Sequence, residues 1–404
     1  MQAIKEFSDH FIPKSGAVPF FSSILVWGIG AGCFTAVLNN YLAEVRGVDE
    51  FQRGLLEFFR EMPGLLLVFI LALMHKKAEW KILRIGTLIS LAGVAGLLLS
   101  ADKAVITLLI MIWSTGEHIL MPVRSTIAMH VAKAGRIGES LGVVTGAMNA
   151  GNVIGSATVA AIIFAGIGWF GIADKVVLYN IVWVLICLLL FVSFLCTLFC
   201  KVDVKDVKRP RLYYNRKYGK FYVLELFYGA RKQIFITFAP YVLILNYGMD
   251  TTTMALLVGV CALVNIFCAP LIGKLTDRIG YRNIMIFDTV ILFFVCITYG
   301  YANRMFTYSV AYAVVCVNFL LDAVISTTAM ATSMYVRDIS DSAEEVTATL
   351  TTGISINHLI SILAALAGGW VWQKFGVGVL FSFSAVMALA NSAFAMLIPR
   401  KQET

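Results

Sequence analysis

The chain has 404 residues, of which 59% are hydrophobic and 14% are charged, and its formal net charge is +8. A soluble domain carries about 25% charged residues, so this composition excludes most soluble enzymes and binding proteins. The eight cysteines include no CxxC pair, which argues against a disulfide framework or a zinc site. We therefore expect no metal and no cofactor.

Twelve apolar stretches, each long enough to cross a bilayer, follow one another along almost the whole chain. A hydrocarbon core of ~30 Å takes about 20 helical residues, and the backbone inside it must satisfy its hydrogen bonds within the protein. The sequence therefore predicts an all-α membrane protein with twelve transmembrane helices. The stretches are centred near Val26, Leu66, Leu91, Ile110, Val153, Leu188, Val242, Leu257, Leu292, Val314, Ile362 and Val386.

The distribution of cations predicts which side of the membrane each loop faces. With the N-terminus inside, 22 of the 32 Lys and Arg residues fall in inside loops, tails and helix ends, and six, Arg53 among them, fall in outside loops. By the positive-inside rule both termini are then cytoplasmic. The net charge reflects this topology, so we expect a bacterial-type inner membrane protein with no nucleic-acid partner.

The first predicted helix follows a short amphipathic stretch with Ile4, Phe7 and Phe11, which we expect to lie on the membrane surface. Near the outer end of this helix are Asn39 and Asn40. Neutral polar residues of this kind are expected along a hydrophilic path, so both are candidates for substrate binding.

The second predicted helix carries three charged residues at membrane depth, where charges are costly and are usually functional. Glu57, Arg60 and Glu61 are three and four residues apart and share one side of the helix, just before Pro63. The functional interpretation is a gate in which Arg60 holds a proton-coupling carboxylate, Glu57 or Glu61. The alternative is a neutral structural ion pair.

The fourth predicted helix carries Glu117, His118 and Arg124. Glu117 and Arg124 are seven residues apart, two turns, and so share a face. A carboxylate in a low dielectric binds a proton more readily, and histidine titrates near neutral pH. Glu117 and His118 are therefore candidates for proton coupling and Arg124 for substrate binding; the alternative is a structural pair, with His118 bonded to a neighbouring helix.

A basic segment at residues 201–220, in which eight of twenty residues are Lys or Arg, separates the first six stretches from the last six. It predicts two six-helix bundles, residues 1–200 and 221–404, joined by a cytoplasmic linker. An offset of 201 residues aligns Gly47 with Gly248 and Asp49 with Asp250. Internal repeats of this kind build many secondary transporters, with the substrate site near the membrane midplane.

The seventh predicted helix carries Arg231 and Lys232 near its middle. Adjacent side chains on a helix point roughly 100° apart, so we expect only one of them to contact substrate. We favour Arg231, because a guanidinium binds carboxylate or phosphate through two hydrogen bonds. Glu225, nearer the cytosol, is expected to snorkel.

The tenth and eleventh predicted helices add Asn318, Asp322 and His358. We expect Asp322 to pair with Arg231 or Lys232, or to carry a coupling proton. Asn318 and His358 are candidates for substrate binding, and for His358 the alternative is a hydrogen-bonded core residue.

Residues 273–282, GKLTDRIGYR, resemble the loop signature G-x-L-a-D-r-x-G-r-k of the major facilitator superfamily. The resemblance implies two pseudo-symmetric six-helix bundles that work by alternating access. It also implies that Gly273, Asp277, Arg278, Gly280 and Arg282 form a cytoplasmic gate. Asp277 would then lie at the start of the fifth helix, near residues 138–140, where the helix dipole favours an anion.

The sequence also departs from the family pattern at three places. The fourth predicted helix keeps Gly116 but has Ile112 where drug-exporting members carry an arginine. The loop of residues 71–81 lacks the Gly and Asp of the signature. The fifth predicted helix is glycine-rich, like the antiporter helix of the family, but no proline follows. These glycines are Gly142, Gly146, Gly151 and Gly155.

Cations and carboxylates at membrane depth predict a proton-coupled secondary transporter of a small organic anion or zwitterion, acting as a monomer. One alternative is an exporter of amphipathic compounds, drugs or lipids, in which the charges serve only gating and coupling. A second is a membrane-embedded enzyme or channel. The chain has neither a HExxH nor a phosphate-binding G-x-x-x-x-G-K-[ST] motif, so we expect no enzymatic activity.

Overall fold

A computed structural model describes residues 11–12, 16–74, 76–133, 136–200 and 213–399, apart from the side chains of residues 343 and 344. The two ends of the chain, the predicted surface residues Ile4 and Phe7, and the basic linker up to residue 212 lie outside these ranges. Phe11 does not lie on a membrane surface: it is buried, and its backbone pairs with that of Ala132.

The described chain is almost entirely helical. A π-helical turn, Tyr41–Val45, extends the first helix, and a 3-10 turn, Thr327–Ala329, separates α11 from α12. The α-helices are α1 (Ala17–Asn40), α2 (Glu50–Leu65), α3 (Leu67–Leu73), α4 (Glu79–Leu97), α5 (Lys103–Val131), α6 (Ile137–Gly168), α7 (Lys175–Leu198), α8 (Gly219–Tyr247), α9 (Thr251–Ile279), α10 (Tyr281–Met305), α11 (Tyr308–Ser326), α12 (Met330–Ile339), α13 (Ala343–Phe375) and α14 (Val377–Ala395).

Ten segments of the described chain are long and apolar enough to cross a membrane. The predicted all-α membrane fold is therefore confirmed. The two predicted stretches outside these ten segments are α2 with α3, helices of 16 and 7 residues, and α8. Both contain charged residues that the sequence placed at membrane depth.

Contacts between Cα atoms divide the chain into two compact units. Unit 1 comprises residues 1–46, 66–209 and 250–263, and unit 2 comprises residues 47–65, 210–249 and 264–404. The units differ from the predicted sequence halves at two places, since α2 belongs to unit 2 and the first half of α9 belongs to unit 1. The predicted boundaries at residues 200 and 221 stay a prediction.

In unit 1, glycines allow α1 and α6 to cross in backbone contact. A Cβ atom added at Gly32 would lie 2.6 Å from the Cα of Asn152, and one at Gly155 would lie 2.2 Å from the carbonyl oxygen of Ile29. Gly142 and Gly146, on the same helix as Gly155, have no atom within 4 Å of such a position. The glycine-rich pattern of this helix thus combines two different environments.

In unit 2, α2 crosses α13 at a similarly close approach. A Cβ at Gly54 would lie 2.4 Å from the carbonyl oxygen of Ala365, and one at Gly369 would lie 2.9 Å from that of Glu50. The helix is interrupted at Leu66, three residues after Pro63, where φ is −86° and ψ is 0°. This crossing positions the charged face of α2 against α13 and α8.

Candidate functional site

Glu57 is the centre of a buried ionic cluster in unit 2. Its side chain is 0% exposed. Arg53 donates to Oε2 over 2.7 Å, Arg60 donates to both oxygens over 2.6 and 2.9 Å, and Gln233 of α8 donates to Oε1 over 2.8 Å. A buried carboxylate with four short hydrogen bonds, three of them from cations, is stably ionised. This geometry favours a structural role for Glu57.

Arg53 and Gln233 are members of this cluster that sequence reasoning missed. Arg53 was expected in an outside loop, but it lies in the first turn of α2 and is 2% exposed. It sits four residues before Glu57, the spacing of a helical ion pair. That spacing could have identified Arg53 from the sequence. No sequence signal identified Gln233, because only tertiary packing brings it to α2.

Glu61, one turn after Glu57, joins α2 to α13. Its Oε1 accepts a hydrogen bond from Arg60, and its Oε2 lies 3.0 Å from Nδ1 of His358. This contact places His358 beside the Glu61 carboxyl group, and its predicted contact with substrate stays a proposal.

Arg231 of α8 lies in a second charged cluster of unit 2 and is 1% exposed. Its Nη1 lies 3.8 Å from Oδ1 of Asp322 on α11, and its Cζ lies 4.8 Å from the ring centre of Tyr228. The sequence predicted the Asp322 pair as one of two possibilities. At 3.8 Å the contact is an ion pair without a hydrogen bond, and none of the three guanidinium nitrogens has a hydrogen-bond partner among the described residues.

Asp288 of α10 is a further acidic residue of this second cluster, and sequence reasoning missed it. Its Oδ2 is within hydrogen-bonding distance of the hydroxyl of Thr328, whereas its buried Oδ1 has no partner in the described part of the chain. Asp288 stands alone in the apolar run of residues 284–292. A single carboxylate inside a predicted span is itself a functional signal and was available in the sequence.

Lys232, adjacent to Arg231, has a different environment. It is half-buried, and its ammonium makes no ion pair or hydrogen bond with the residues that the structure describes. Glu61 and Glu225 are the carboxylates that attract it electrostatically. Of the two adjacent cations in the middle of α8, Arg231 has a carboxylate partner within 4 Å, and Lys232 is left available.

Glu225 does not snorkel to the cytosol. Its Oε1 lies 3.3 Å from the hydroxyl oxygen of Thr332, and its Oε2 accepts from Asn357 over 3.2 Å. Both partners are neutral. The carboxylate thus joins α8, α12 and α13 within unit 2.

In unit 1, Arg124 of α5 stacks on an aromatic ring. Its Cζ lies 3.8 Å from the ring centre of Trp27, its Nη1 lies 3.5 Å from the sulfur of Met148, and its Nη2 is buried without a hydrogen-bond partner among the described residues. Glu117 attracts it from two turns earlier, in line with the predicted shared face. His118 is buried, and its Nδ1 lies 2.8 Å from the carbonyl oxygen of Ser114 in its own helix.

The three asparagines proposed for substrate binding belong to different units. Asn40 donates to Glu44 over 2.7 Å in unit 1, and Asn39 beside it is half-buried. Asn318 of unit 2 donates to Thr298 over 2.7 Å. The side-chain amides of Asn40 and Asn318 are thus engaged within their own units, and contact with substrate stays a proposal for all three.

The predicted gating loop is mostly helix. α9 continues through Asp277 and Arg278, both exposed, to Ile279, and only Gly280 separates it from α10. Gly280 has φ 84°, which favours glycine, whereas Gly273 lies inside the helix. Asp277 therefore occupies the C-terminal turn of its own helix, the end where the dipole disfavours an anion.

Arg282, the last residue of the signature, holds the start of α10. Its Nη2 donates to the carbonyl oxygen of Met396, after α14, over 2.7 Å. A gating role for Arg282 and the other signature residues stays a proposal.

Comparison with known proteins gives a family and a fold. The family model described as Major Facilitator Superfamily matches residues 20–336 and 221–404. No curated protein matches the chain in sequence.

Solved structures of transporters resemble this one over nearly their full lengths. The crystal structure of the nucleoside transporter NupG has a TM-score of 0.76 at 12% identity and covers 95% of this chain and 98% of its own. The D-xylose–proton symporter has a TM-score of 0.71 at 12% identity, covering 96% and 98%. A bacterial homologue of the human lysosomal transporter Spinster has a TM-score of 0.70 at 15% identity, covering 96% and 97%.

Proposed function

Because the chain belongs to the Major Facilitator Superfamily, we propose that it is a secondary active transporter that carries a small organic anion or zwitterion by alternating access, coupled to protons, and that it has no enzymatic activity. The structural neighbours are 12–15% identical to this chain, which supports the fold and leaves the substrate class to the residues. The observation that carries the substrate class is Lys232, an ammonium at membrane depth without an ion-pair partner among the described residues.

Lys232 is the stronger candidate for anion contact. A cation at membrane depth is expensive unless a carboxylate, water or a ligand compensates it. Asp322 compensates Arg231, although Arg231 was the residue favoured from sequence. Lys232 is left to attract a substrate carboxylate or phosphate, with Arg124 in unit 1 as a second candidate because its Nη2 has no hydrogen-bond partner in the described chain.

The balance of charge in unit 2 supports co-transport with protons. The charged groups at membrane depth are four cations and five carboxylates, so with every carboxylate ionised an anion alone would increase a negative excess. A zwitterion, or an anion that enters with protons, would not. The groups counted are Arg53, Arg60, Arg231 and Lys232 with Glu57, Glu61, Glu225, Asp288 and Asp322.

The substrate test begins with the purified protein and a thermal-shift screen of carboxylates, amino acids and phosphorylated metabolites, since a ligand of the native state raises stability. With the compound so found, Lys232→Ala is expected to weaken binding by about 1.5–3 kcal/mol, the worth of a hydrogen bond to a charged group. This corresponds to roughly 10- to 150-fold in Kd. Lys374→Ala, at an exposed lysine in the last turn of α13, is the matched control and should bind normally.

Unchanged binding by Lys232→Ala would contradict the assignment of Lys232. A cationic or lipid-like ligand from the screen would instead contradict the substrate class and favour the alternative of an exporter of amphipathic compounds.

Proton coupling is tested in proteoliposomes loaded with the same compound. We propose that Glu61, together with His358, Glu117, His118 and Asp322, carries the coupling protons. The variants Glu61→Gln, Glu117→Gln and Asp322→Asn should retain exchange while at least one loses accumulation driven by a pH gradient. If all three still accumulate substrate, coupling resides elsewhere.

We also propose that the protein is a monomer in a bacterial-type inner membrane with both termini cytoplasmic, as the cation distribution predicts. Tyr214, which is 71% exposed and lies in the described part of the linker, offers a test. A cysteine placed there should resist an impermeant maleimide added to intact cells and react once the cells are opened. Reaction in intact cells would reverse the topology.

A further inference from the structure

The break between α11 and α12 contains a hydroxyl group shared between two acceptors. The 3-10 turn Thr327–Ala329 separates the two helices. Oγ1 of Thr328 lies within hydrogen-bonding distance of Oδ2 of Asp288 on α10 and also 2.6 Å from the carbonyl oxygen of Ile325. Both contacts lie inside unit 2.

Counting hydrogens distinguishes two possible states of this site. A threonine hydroxyl has one hydrogen, and a bond back to a carbonyl three residues earlier is its usual contact in a helix. If that hydrogen goes to Ile325, the contact between Thr328 and Asp288 needs a hydrogen from the carboxyl group. We propose that Asp288 carries a proton in this conformation and donates it to Thr328, and that this proton controls the hydrogen bonding of the helix break.

The surroundings of Asp288 support a neutral acid. From α8, Arg231 and Tyr228 face it, but the guanidinium forms its ion pair with Asp322 of α11. Asp288 has no cation within 4 Å among the described residues. Two buried carboxylates beside one cation leave an uncompensated charge unless one is protonated.

The other elements next to Asp288 bring no compensating charge. α14 has no titratable residue in its whole length. The titratable groups of α12 lie toward its far end, where Tyr335 contacts Tyr281 at the start of α10; the others are Arg337 and Asp338. On α10 itself, Cys296 is two turns beyond Asp288.

Loss of the proton would change the helix break directly. The carboxylate could then only accept, so the Thr328 hydrogen would turn to it and the Ile325 carbonyl would lose its side-chain donor. Protonation of Asp288 thereby selects between two hydrogen-bonding arrangements at the junction of α11 and α12. This inference adds a residue to the proton coupling of the proposed function. Only the role of Asp288 in transport rests on that proposed function; its protonation does not.

Infrared difference spectra of the purified full chain, taken between acid and alkaline buffer, test the protonation itself. A buried protonated carboxyl group gives a carbonyl band distinct from that of a carboxylate. Asp288→Asn is expected to remove one such band, and Thr328→Val to shift it, because the carboxyl loses its acceptor. Asp341→Asn, whose side chain is 89% exposed, is the matched control and should leave it in place.

An unchanged spectrum in both Asp288→Asn and Thr328→Val would overturn the proposal. Thr328→Val keeps the test open if Asp288→Asn does not fold. In proteoliposomes, Asp288→Asn should retain exchange and lose proton-driven accumulation. If Asp288→Asn removes the band but still accumulates substrate, the coupling role of Asp288 is wrong and its protonation stands. If the protein transports substrate without any dependence on protons, the proposed function is contradicted instead.

Discussion

Glu57→Gln is expected to lower the free energy of unfolding by about 3–5 kcal/mol, the usual cost of removing one partner from a buried ion pair. The amide has nearly the same volume as the carboxylate, so the loss of free energy of unfolding contains no contribution from a cavity. It removes the negative charge that Arg53 and Arg60 contact over 2.6–2.9 Å and presents its NH₂ group to one of them. Chemical unfolding in detergent, followed by tryptophan fluorescence, measures the loss.

The matched control is Glu139→Gln. Glu139 pairs with Arg136 over 3.4 Å at the same i, i+3 spacing, but the side chains are 43% and 49% exposed. Such a surface pair is worth about 0–1 kcal/mol. An equal loss of free energy of unfolding in the two variants would mean that the Glu57 cluster is exposed to water.

Gly155→Ala is expected to destabilise unit 1 by about 1–3 kcal/mol or more, because overpacking in a close-packed interior forces the backbone apart. The added methyl group would lie 2.2 Å from the carbonyl oxygen of Ile29 and 2.7 Å from the amide nitrogen of Cys33. Both are backbone atoms and cannot swing aside. The melting temperature of the purified protein reports the change.

Gly146→Ala, on the same helix, should have the opposite sign. Nothing lies within 4 Å of its Cβ position, and alanine is favoured over glycine inside a helix by roughly 0.5–1 kcal/mol. A destabilising Gly146→Ala, or a neutral Gly155→Ala, would show that the α1–α6 crossing is looser than these distances indicate.

The local sequence pattern was sufficient to predict the helices and the ion pairs between residues of the same helix. Apolar length predicted the spans, and the spacing of Glu57, Arg60 and Glu61 predicted their mutual contact, because such pairs depend only on helical geometry. The pairing of Asp322 was narrowed to Arg231 or Lys232 but not decided. Two adjacent cations on one helix have the same local signal, and only packing against α11 distinguishes them.

Contacts between distant helices could not be predicted. Gln233 contacts Glu57 across 176 residues of sequence, and the type of neither residue indicates which residue will be its partner. The loop signature around Gly280 was likewise resolved only by structure, because the residues up to Ile279 have enough helical propensity to extend α9 through the expected loop.

The arrangement of the Glu57 cluster also bears on how the chain is made. Glu61 meets His358 across 297 residues of sequence, so at about 5–20 residues per second of synthesis α2 waits roughly 15–60 s for α13. Gln233 of α8 is made 176 residues after Glu57, and until then these charged groups have only each other. Arg53, Glu57, Arg60 and Glu61 carry two charges of each sign on one face of one helix, so their net charge is zero, which lowers the cost of holding this face at membrane depth before the later helices arrive.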